Sequence, residues 1–417
     1  MATRMPDKRI RTLIFHPALS PYRVDLFNHL AHEVDLRLVL LNRAPQYLSA
    51  RNQTVLENSL QCDYEFLPES LRIPGSEIRL GLAATIRRFH PHVVCTSEFA
   101  DVTLRMIFWR RWRAREDFGH VLWTDESPAM QESRSFTRRW LRRMRCRCVD
   151  SMVVCSPAVK QAFVQGGWIG DEQGFVCGVH QSPATVRAKL EAGRRLAARI
   201  IEEHSLQGRK VVLFVGRLVE NKDPMSLLEA FARTRAAQPG CTLVYVGNGS
   251  LDAPLRARAA ALGLASPDVI FAGHREGADL YVWYAIAAIL VRPSVFEPYG
   301  AVINEALLCG VPTICSSAAG AAWLVNTGST GRIFNPRDAG RLATLLADAL
   351  RSAPEAPTLV GRRRDNLMPV SFDADVAGFV KAIEYAWSCS ERRAAGHTDG
   401  RRARTAKPGP TIDSEKY

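Results

Sequence analysis

The feature that most constrains the fold is a series of short apolar runs that lack polar alternation. In the first half they are Thr12–Phe15, Leu36–Leu41, His92–Thr96, Val121–Thr124 and Met152–Cys155; in the second half they are Val211–Val215, Thr242–Val246, Val269–Ala272, Ala288–Arg292 and Val311–Cys315. Runs rich in Val, Ile, Leu and Phe with no hydrophilic face are the pattern of parallel strands buried on both sides. Amphipathic segments such as Asp25–Glu33 and Pro224–Ala236 lie between them. Two successive βαβ series predict an α/β protein with two doubly wound, Rossmann-like domains. A chain of 417 residues suits two cores of ordinary size. The polar stretch Gln181–Gly208 has no strand signal and carries the expected boundary, giving domains over 1–190 and 191–371. Phe372, Val376, Phe379, Val380 and Ile383 share one helical face, so 372–390 reads as a closing helix. Residues 391–417 are almost free of apolar side chains and are expected to be disordered.

The bulk balance is that of a soluble globular chain: 47% hydrophobic and 23% charged residues. Lys plus Arg exceeds Asp plus Glu by 55 − 42 = 13. That surplus favours anionic partners without choosing among phosphorylated ligands, anionic lipid and nucleic acid. The start, Met1 to Arg11, is polar and basic with no apolar core of a secretory signal behind it. The longest apolar run, Leu280 to Val291, is too short to span a bilayer. Cys95, Cys155, Cys241 and Cys315 lie in or beside apolar runs, and the Cys146, Cys148 pair has no second pair at metal spacing. The expectation is a reduced, cytoplasmic protein without structural zinc.

In Val211–Ala230 a buried strand ends at Val215, Gly216 permits a tight turn, and Arg217 and Lys222 follow in the loop. Asp223 suits a helix N-cap and Pro224 the first helical position. Two cations thus lie at the carboxyl end of a strand beside a helix start, where open α/β sheets bind ligands. They could hold a diphosphate by charge-assisted hydrogen bonds, or they could be two solvated loop cations.

In Ala288–Leu308 a strand ends near Arg292, Pro293–Tyr299 forms a loop, and Gly300 opens a helix that includes Glu305. Glu297 and Glu305 bracket that junction in an E-x7-E spacing. Free N–H groups and the positive dipole end at a helix start make a seat for phosphate. From one turn inside the helix Glu305 can reach ribose hydroxyls, and Glu297 stands closer to whatever lies beyond the phosphates. Glu297 could equally be an exposed loop acid and Glu305 a solvated helix position. The apolar neighbours Val302, Ile303, Ala306 and Leu307 weaken the second alternative, because a buried carboxylate needs a partner.

Four segments in order, GRLVENK (Gly216–Lys222), YVGNG (Tyr245–Gly249), FAGH (Phe271–His274) and EPYGAVINEAL (Glu297–Leu307), resemble the retaining GT-B glycosyltransferases of glycosyltransferase family 4, also called group 1. The resemblance is strong over residues 209–335. It implies a GT-B fold, with two Rossmann-like domains facing across a cleft and the closing helix returning to the first domain. It implies a nucleotide-diphosphate-sugar donor, with Arg217 and Lys222 on the diphosphate and Glu305 on the ribose. Glu297 would then contact the transferred sugar. Gly300 and Ala301 would offer backbone N–H groups to the phosphates, Gly247 would lie in the donor site, and His274 and Arg275 beside the base. Glu297, Arg217 and Lys222 are the catalytic candidates. No metal or cofactor is expected, because the cations and the helix start act on the leaving diphosphate.

The first half matches less well. The loop His16–Arg23 after the first strand has no glycine, although Pro21-Tyr22-Arg23-x-x-Leu26-Phe27 resembles a bacterial subset that builds surface polysaccharides. The family places a His in this domain near the donor sugar, and no His aligns here. Glu126, after the Val121–Thr124 strand, is the candidate contact from this domain; its alternative is a loop acid paired with an Arg. Leu104–Arg147 is dense in Arg with Trp109, Trp112 and Trp140 interleaved. It reads as two solvated helix faces or as a peripheral contact with the inner membrane face near a lipid-linked acceptor; nucleic acid is not expected.

The expected activity is transfer of a hexosyl-type group to an acceptor hydroxyl with retention, in bacterial surface polysaccharide or glycolipid assembly. A natural-product glycosyltransferase and a GT-B sugar-nucleotide epimerase are the enzymatic rivals, and the epimerase would need no acceptor. The non-enzymatic rival is a basic membrane- or nucleic-acid-binding protein on a degenerate scaffold, which would release no nucleoside diphosphate.

Overall fold

Seven parallel strands form the sheet of the first domain in a computed structural model that describes residues 9–43, 50–67, 70–73, 76–112, 117–126, 136–325 and 328–405. The strands are β1 (Arg11–His16), β2 (Asp35–Leu40), β3 (Asp63–Phe66), β6 (Val93–Ser97), β7 (Gly119–Thr124), β8 (Ser151–Val154) and β9 (Gly174–Val176); β4 (Ser70–Ile73) and β5 (Ser76–Arg79) make a separate antiparallel hairpin. The order is β3-β2-β1-β6-β7-β8-β9, so the winding reverses between β1 and β6, which pair from Thr12–Val93 to Phe15–Thr96. Helices cover both faces, as the unbroken apolar strands require. On one face, Leu26, Phe27 and Leu30 of α1 (Pro21–Glu33) pack over Ile14, Cys95 and Trp123. On the other, Val102 and Met106 of α2 (Asp101–Trp112) meet Leu13 and Val94. The next helix, α3 (Phe136–Cys146), buries Cys146 beside Leu122 and Met152.

The chain changes domain earlier than its composition suggests. Helix α4 (Pro183–Glu203), capped by Ser182 and started by Pro183, buries Val186, Leu190, Ala197 and Ile201 in the core of the second domain. Residues 177–182 are therefore the crossing, ahead of the boundary at 190 drawn from polarity: the polar positions of α4 are its solvent face.

The second sheet contains β10 (Lys210–Val215), β11 (Cys241–Val246), β12 (Val269–Gly273), β13 (Ala287–Arg292), β14 (Thr313–Ser316) and β15 (Gly331–Phe334), all parallel, in the order β12-β11-β10-β13-β14-β15. This is the doubly wound order with its reversal between β10 and β13. Its helices include α5 (Pro224–Ala237), α6 (Gly277–Ile286) and α7 (Ala301–Leu308). Leu227, Leu228 and Phe231 of α5 are fully buried against Phe214 and Leu243.

Helix α8 (Phe372–Thr405) returns to the first domain, where Phe372, Val376, Phe379, Ala382, Ile383 and Ala386 join the α1 core. It passes so close to β7 that a Cβ on Gly119 would lie 2.4 Å from the Ala386 carbonyl oxygen. The helix does not stop at 390, where apolar content ends. Arg393 ties its continuation to Asp117 at 2.7 Å and Asp150 at 2.6 Å, and the helix runs to Thr405. Residues 406–417 of the expected tail lie outside the described residues. The domains also meet directly: Phe163, Trp168 and Val179 share one apolar cluster with Tyr299, Ile303, Leu307 and Leu324.

Candidate functional site at two switch points

Ligands in open α/β sheets bind outside the carboxyl ends of the strands where the winding reverses. In the second domain that point lies between β10 and β13. Each of three neighbouring strands there ends in a glycine with positive φ: Gly216 (142°), Gly247 (138°) and Gly273 (72°). A Cβ on Gly247 would lie 2.0 Å from the Gly216 carbonyl oxygen, so the strand ends close up only because Gly247 lacks a side chain.

Arg292, the last residue of β13, fills the space that Gly216 leaves. Its Nη1 donates to the Val215 carbonyl at 2.9 Å, and a Cβ on Gly216 would lie 2.5 Å from the same nitrogen. Its Nε donates to Glu297 Oε2 at 3.0 Å, and its Nη2 bonds the same oxygen. Lys222 Nζ reaches that oxygen too, at 2.8 Å. Lys222 sits in a single 3-10 turn, Glu220–Lys222, ahead of the Asp223 cap of α5. All three residues are 7% exposed or less. Burial alone would raise the Glu297 carboxyl, but Arg292 and Lys222 more than offset it and hold the group below the usual carboxylate range. Burial also lowers the Lys222 ammonium, with Glu297 opposing.

Arg217 lies on the exposed side of the cluster and acts electrostatically on Lys222. Three cations (Arg217, Lys222, Arg292) against one carboxylate leave a surplus of two positive charges at a strand-end crevice. Beside it, α7 starts at Gly300 with φ 97° and no side-chain cap, leaving the N–H groups of its first turn unused by side chains. The crevice is built to receive an anion with several oxygens.

Glu305 stands one turn into α7, and each of its carboxylate oxygens accepts one side-chain hydrogen bond, which leaves further acceptor capacity. Oε2 accepts from Tyr284 Oη at 2.8 Å and Oε1 from Gln181 Nε2 at 3.1 Å, while Lys189 bonds Gln181 Oε1 from the other side. Burial raises its carboxyl, with these donors opposing. Gln181 lies in the crossing between the domains, so Glu305 is wired to the hinge. His274 and Arg275, after β12, are exposed, and His274 Nε2 lies 3.0 Å from Glu276. The structure thus brings Arg217, Lys222, Glu297 and Gly300 to one rim. Arg292, Tyr284 and Gln181 were not singled out from the sequence; an Arg closing a fully apolar strand was the one available signal.

The first domain has a second site at its own reversal, between β1 and β6. A cavity of about 210 Å³ is lined by His16 at the end of β1, Ala18, Ser20 and Arg23 beyond it, Glu98 after β6, and Trp123 and Asp125 at the end of β7. Arg23 is 1% exposed, pairs with Asp125 and lies over the Trp123 ring at 4.1 Å. Glu98 has φ +60°, a left-handed conformation that a bulky residue holds only under constraint. Its Oε1 accepts from the Asp125 N–H at 3.1 Å and its Oε2 from Thr124 Oγ1 at 3.1 Å. Burial, then Asp125, pushes its carboxyl up to about 7. Burial, then Arg23, pulls His16 down to about 4, so the ring is neutral.

Glu126 is not part of this cavity. It is 2% exposed, turned away from the lining and paired with Arg142 of α3. The loop acid paired with an Arg is the reading the structure supports, and its neighbour Asp125 is the residue that faces the cavity. The physical reason is the pairing: Arg23 holds Asp125 at the cavity, while Arg142 holds Glu126 against α3. Among the described residues no cluster of His, Cys, Asp or Glu could hold a metal ion, and no helix is long and apolar enough to cross a membrane.

The two-domain fold is that of the GT-B glycosyltransferases. The Anabaena HepE structure with UDP and glucose superposes with a TM-score of 0.62 at 18% identity, over 94% of this chain and all of that one. Residues 198–363, most of the second domain, match the family described as glycosyl transferases group 1. The D-inositol 3-phosphate glycosyltransferase of Mycolicibacterium vanbaalenii is 31% identical over 219 residues, 48% of this chain and 47% of its own. The glycogen synthase of Mycobacterium tuberculosis is 30% identical over 278 residues, 66% of this chain and 59% of its own. The chain thus spans about half the length of the curated relatives it matches.

Proposed function

We propose that the chain transfers a sugar from a nucleotide-diphosphate sugar to an acceptor hydroxyl, with retention of configuration, as a member of glycosyltransferase family 4. The observation that carries this reading is the surplus of two positive charges around Glu297 beside the uncapped start of α7. A diphosphate has the charge and the oxygens to meet both. Arg217 and Lys222 hold the diphosphate, the N–H groups at Gly300 and Ala301 cradle it, and Glu305 takes the ribose. The strand-end loops at Gly247, His274 and Arg275 flank the nucleotide. Glu297, held ionised and immobile by Arg292, faces the sugar. As the glycosidic bond breaks, negative charge grows on the leaving phosphate, and the pre-placed cations stabilise it more in the transition state than in the ground state. On this reading no metal is required. The acceptor approaches from the first domain, and the leaving phosphate takes its proton from the same face of the sugar.

We place this work in the cytoplasm at the inner membrane face, in polysaccharide or glycolipid assembly. On α2 and α3, Trp112 and Phe136 are each 82% exposed, and Phe108, Trp140, Leu141 and Met144 are exposed with them among arginines. Aromatic and basic side chains on one surface suit a headgroup layer. The test is incubation with nucleotide sugars and candidate acceptors, following nucleoside-diphosphate release and the anomeric proton of the product. An α-linked donor should give an α-linked product. An inverted product removes the retaining assignment, and conversion of the donor without acceptor points to an epimerase.

A further inference from the structure

The two switch points differ in charge. Around Glu297 the positive surplus is two. In the first-domain cavity, Arg23 is matched by Asp125, His16 is neutral, and Glu98 adds a carboxyl, so the described lining carries no surplus positive charge. An incoming phosphate would meet two carboxyl groups and one cation that is already paired.

The lining nevertheless has unmet polar capacity. Arg23 Nε and Nη1, Trp123 Nε1, Ser20 Oγ and Asp125 Oδ1 are buried and have no hydrogen-bond partner. Unpaired buried donors and acceptors are costly, and several of both kinds around one cavity indicate a ligand that supplies both. A hydroxyl both donates and accepts, whereas a phosphate monoester dianion only accepts and brings charge. The cavity volume of about 210 Å³ suits one ring.

We propose that the cavity at the first-domain switch point seats an uncharged, hydroxyl-rich ring of the acceptor and rejects its phosphorylated counterpart. Arg23 and Asp125 orient the ring through its hydroxyls, and Glu98 sets the charge selectivity. The inference takes from the proposed function only that an acceptor enters from this side.

The test is saturation-transfer NMR on the full chain with methyl glucoside, methyl galactoside, methyl mannoside and myo-inositol, each against its phosphate monoester. Two variants assign the signal. Ala18→Trp fills the cavity, and Glu98→Gln, compared with the parent above pH 7 where the Glu98 carboxyl is ionised, removes a charge at constant volume. At least one uncharged ring should bind, lose its signal in Ala18→Trp, and bind about 10-fold or more tighter than its monoester, as a like-charge contact near a protein surface implies. In Glu98→Gln that preference should shrink. The proposal is overturned if a monoester binds as tightly as its parent ring in a manner that Ala18→Trp abolishes. It is equally overturned if no uncharged ring gives a signal sensitive to either variant. Failure of the glycosyltransferase reading shows elsewhere, as absence of nucleotide-sugar binding at Lys222, and leaves these sugar signals unchanged.

Discussion

The Lys222 ammonium lies 2.8 Å from Glu297 Oε2, the same oxygen that takes two donors of Arg292. One carboxylate oxygen therefore fixes a cation from the β10 loop and a cation from the end of β13. Both cations are thereby held at the strand ends, so the positive charge is in place before a ligand arrives.

Removing either member should affect turnover more than folding. Lys222→Ala leaves Glu297 paired with Arg292, and we expect transfer to fall by about 10²-fold or more with the melting temperature near that of the parent. Glu297→Ala should lower transfer by at least about the same factor, and it costs more stability because Arg292 stays buried without its counter-charge. Steady-state rates with parallel thermal melts separate the two effects.

Gly216→Ala tests the strand-end geometry. The position has φ 142°, and the added Cβ would lie 2.5 Å from Arg292 Nη1. Strained backbone and a displaced guanidinium together should cost roughly 1–3 kcal/mol. Donor affinity should fall as well, because Arg292 no longer holds Glu297. A variant with parental stability and affinity would show that the glycine is dispensable.

Tyr284→Phe removes one of the two side chains that hold Glu305. A hydrogen bond to a carboxylate is worth about 1.5–3 kcal/mol, and denaturant unfolding should show a loss in that range. Gln181 in the domain crossing then bears the whole interaction, so donor affinity should also become more sensitive to Gln181→Ala in the double variant.

The Glu98 carboxyl gives a pH signature. Its ordinary value near 4.5 is raised to about 7 by burial and by Asp125, with the Glu126 charge adding and the Asp125 N–H and Thr124 hydroxyl opposing; Arg23 lines the same cavity. In this range the folded state holds a proton that the unfolded state has lost. Stability from this group is therefore present below about pH 4.5 and lost as pH rises to about 7. His16, lowered to about 4, acts in the opposite sense, losing stability as pH falls below 6.5. The two trends overlap, so the difference between parent and Glu98→Gln isolates Glu98. That difference should grow by about 2 kcal/mol in favour of the variant between pH 5 and 7. A flat difference would place Glu98 in an ordinary solvated setting.

Much of the scaffold was legible in the sequence because burial on both faces leaves a mark in every strand. Leu13, Val94, Leu213 and Val291 lie in unbroken apolar runs and are fully buried in the two sheets. The rim of the second domain was legible for a different reason: Arg217, Lys222, Glu297 and Glu305 lie in contiguous motifs, with turn and cap residues marking where strand becomes helix. The first-domain cavity was not legible. His16, Arg23, Glu98 and Asp125 come from three strand ends far apart in sequence, and only the reversal between β1 and β6 brings them together. Glu126 attracted attention because it follows the Val121–Thr124 strand, but its partner Arg142 lies on α3, which the strand pattern does not reveal. The extent of α8 was hidden because Arg393 finds its partners 243 and 276 positions away.

The most direct measurement is a thermal-shift series with UDP-, GDP-, ADP- and dTDP-sugars on the parent and on Lys222→Ala. One nucleotide sugar, at about 100 times its Kd, should stabilise the parent by roughly 2.7 kcal/mol and the variant by far less. If none of them stabilises the parent, or if the variant responds equally, the crevice around Glu297 is not a seat for a nucleotide sugar.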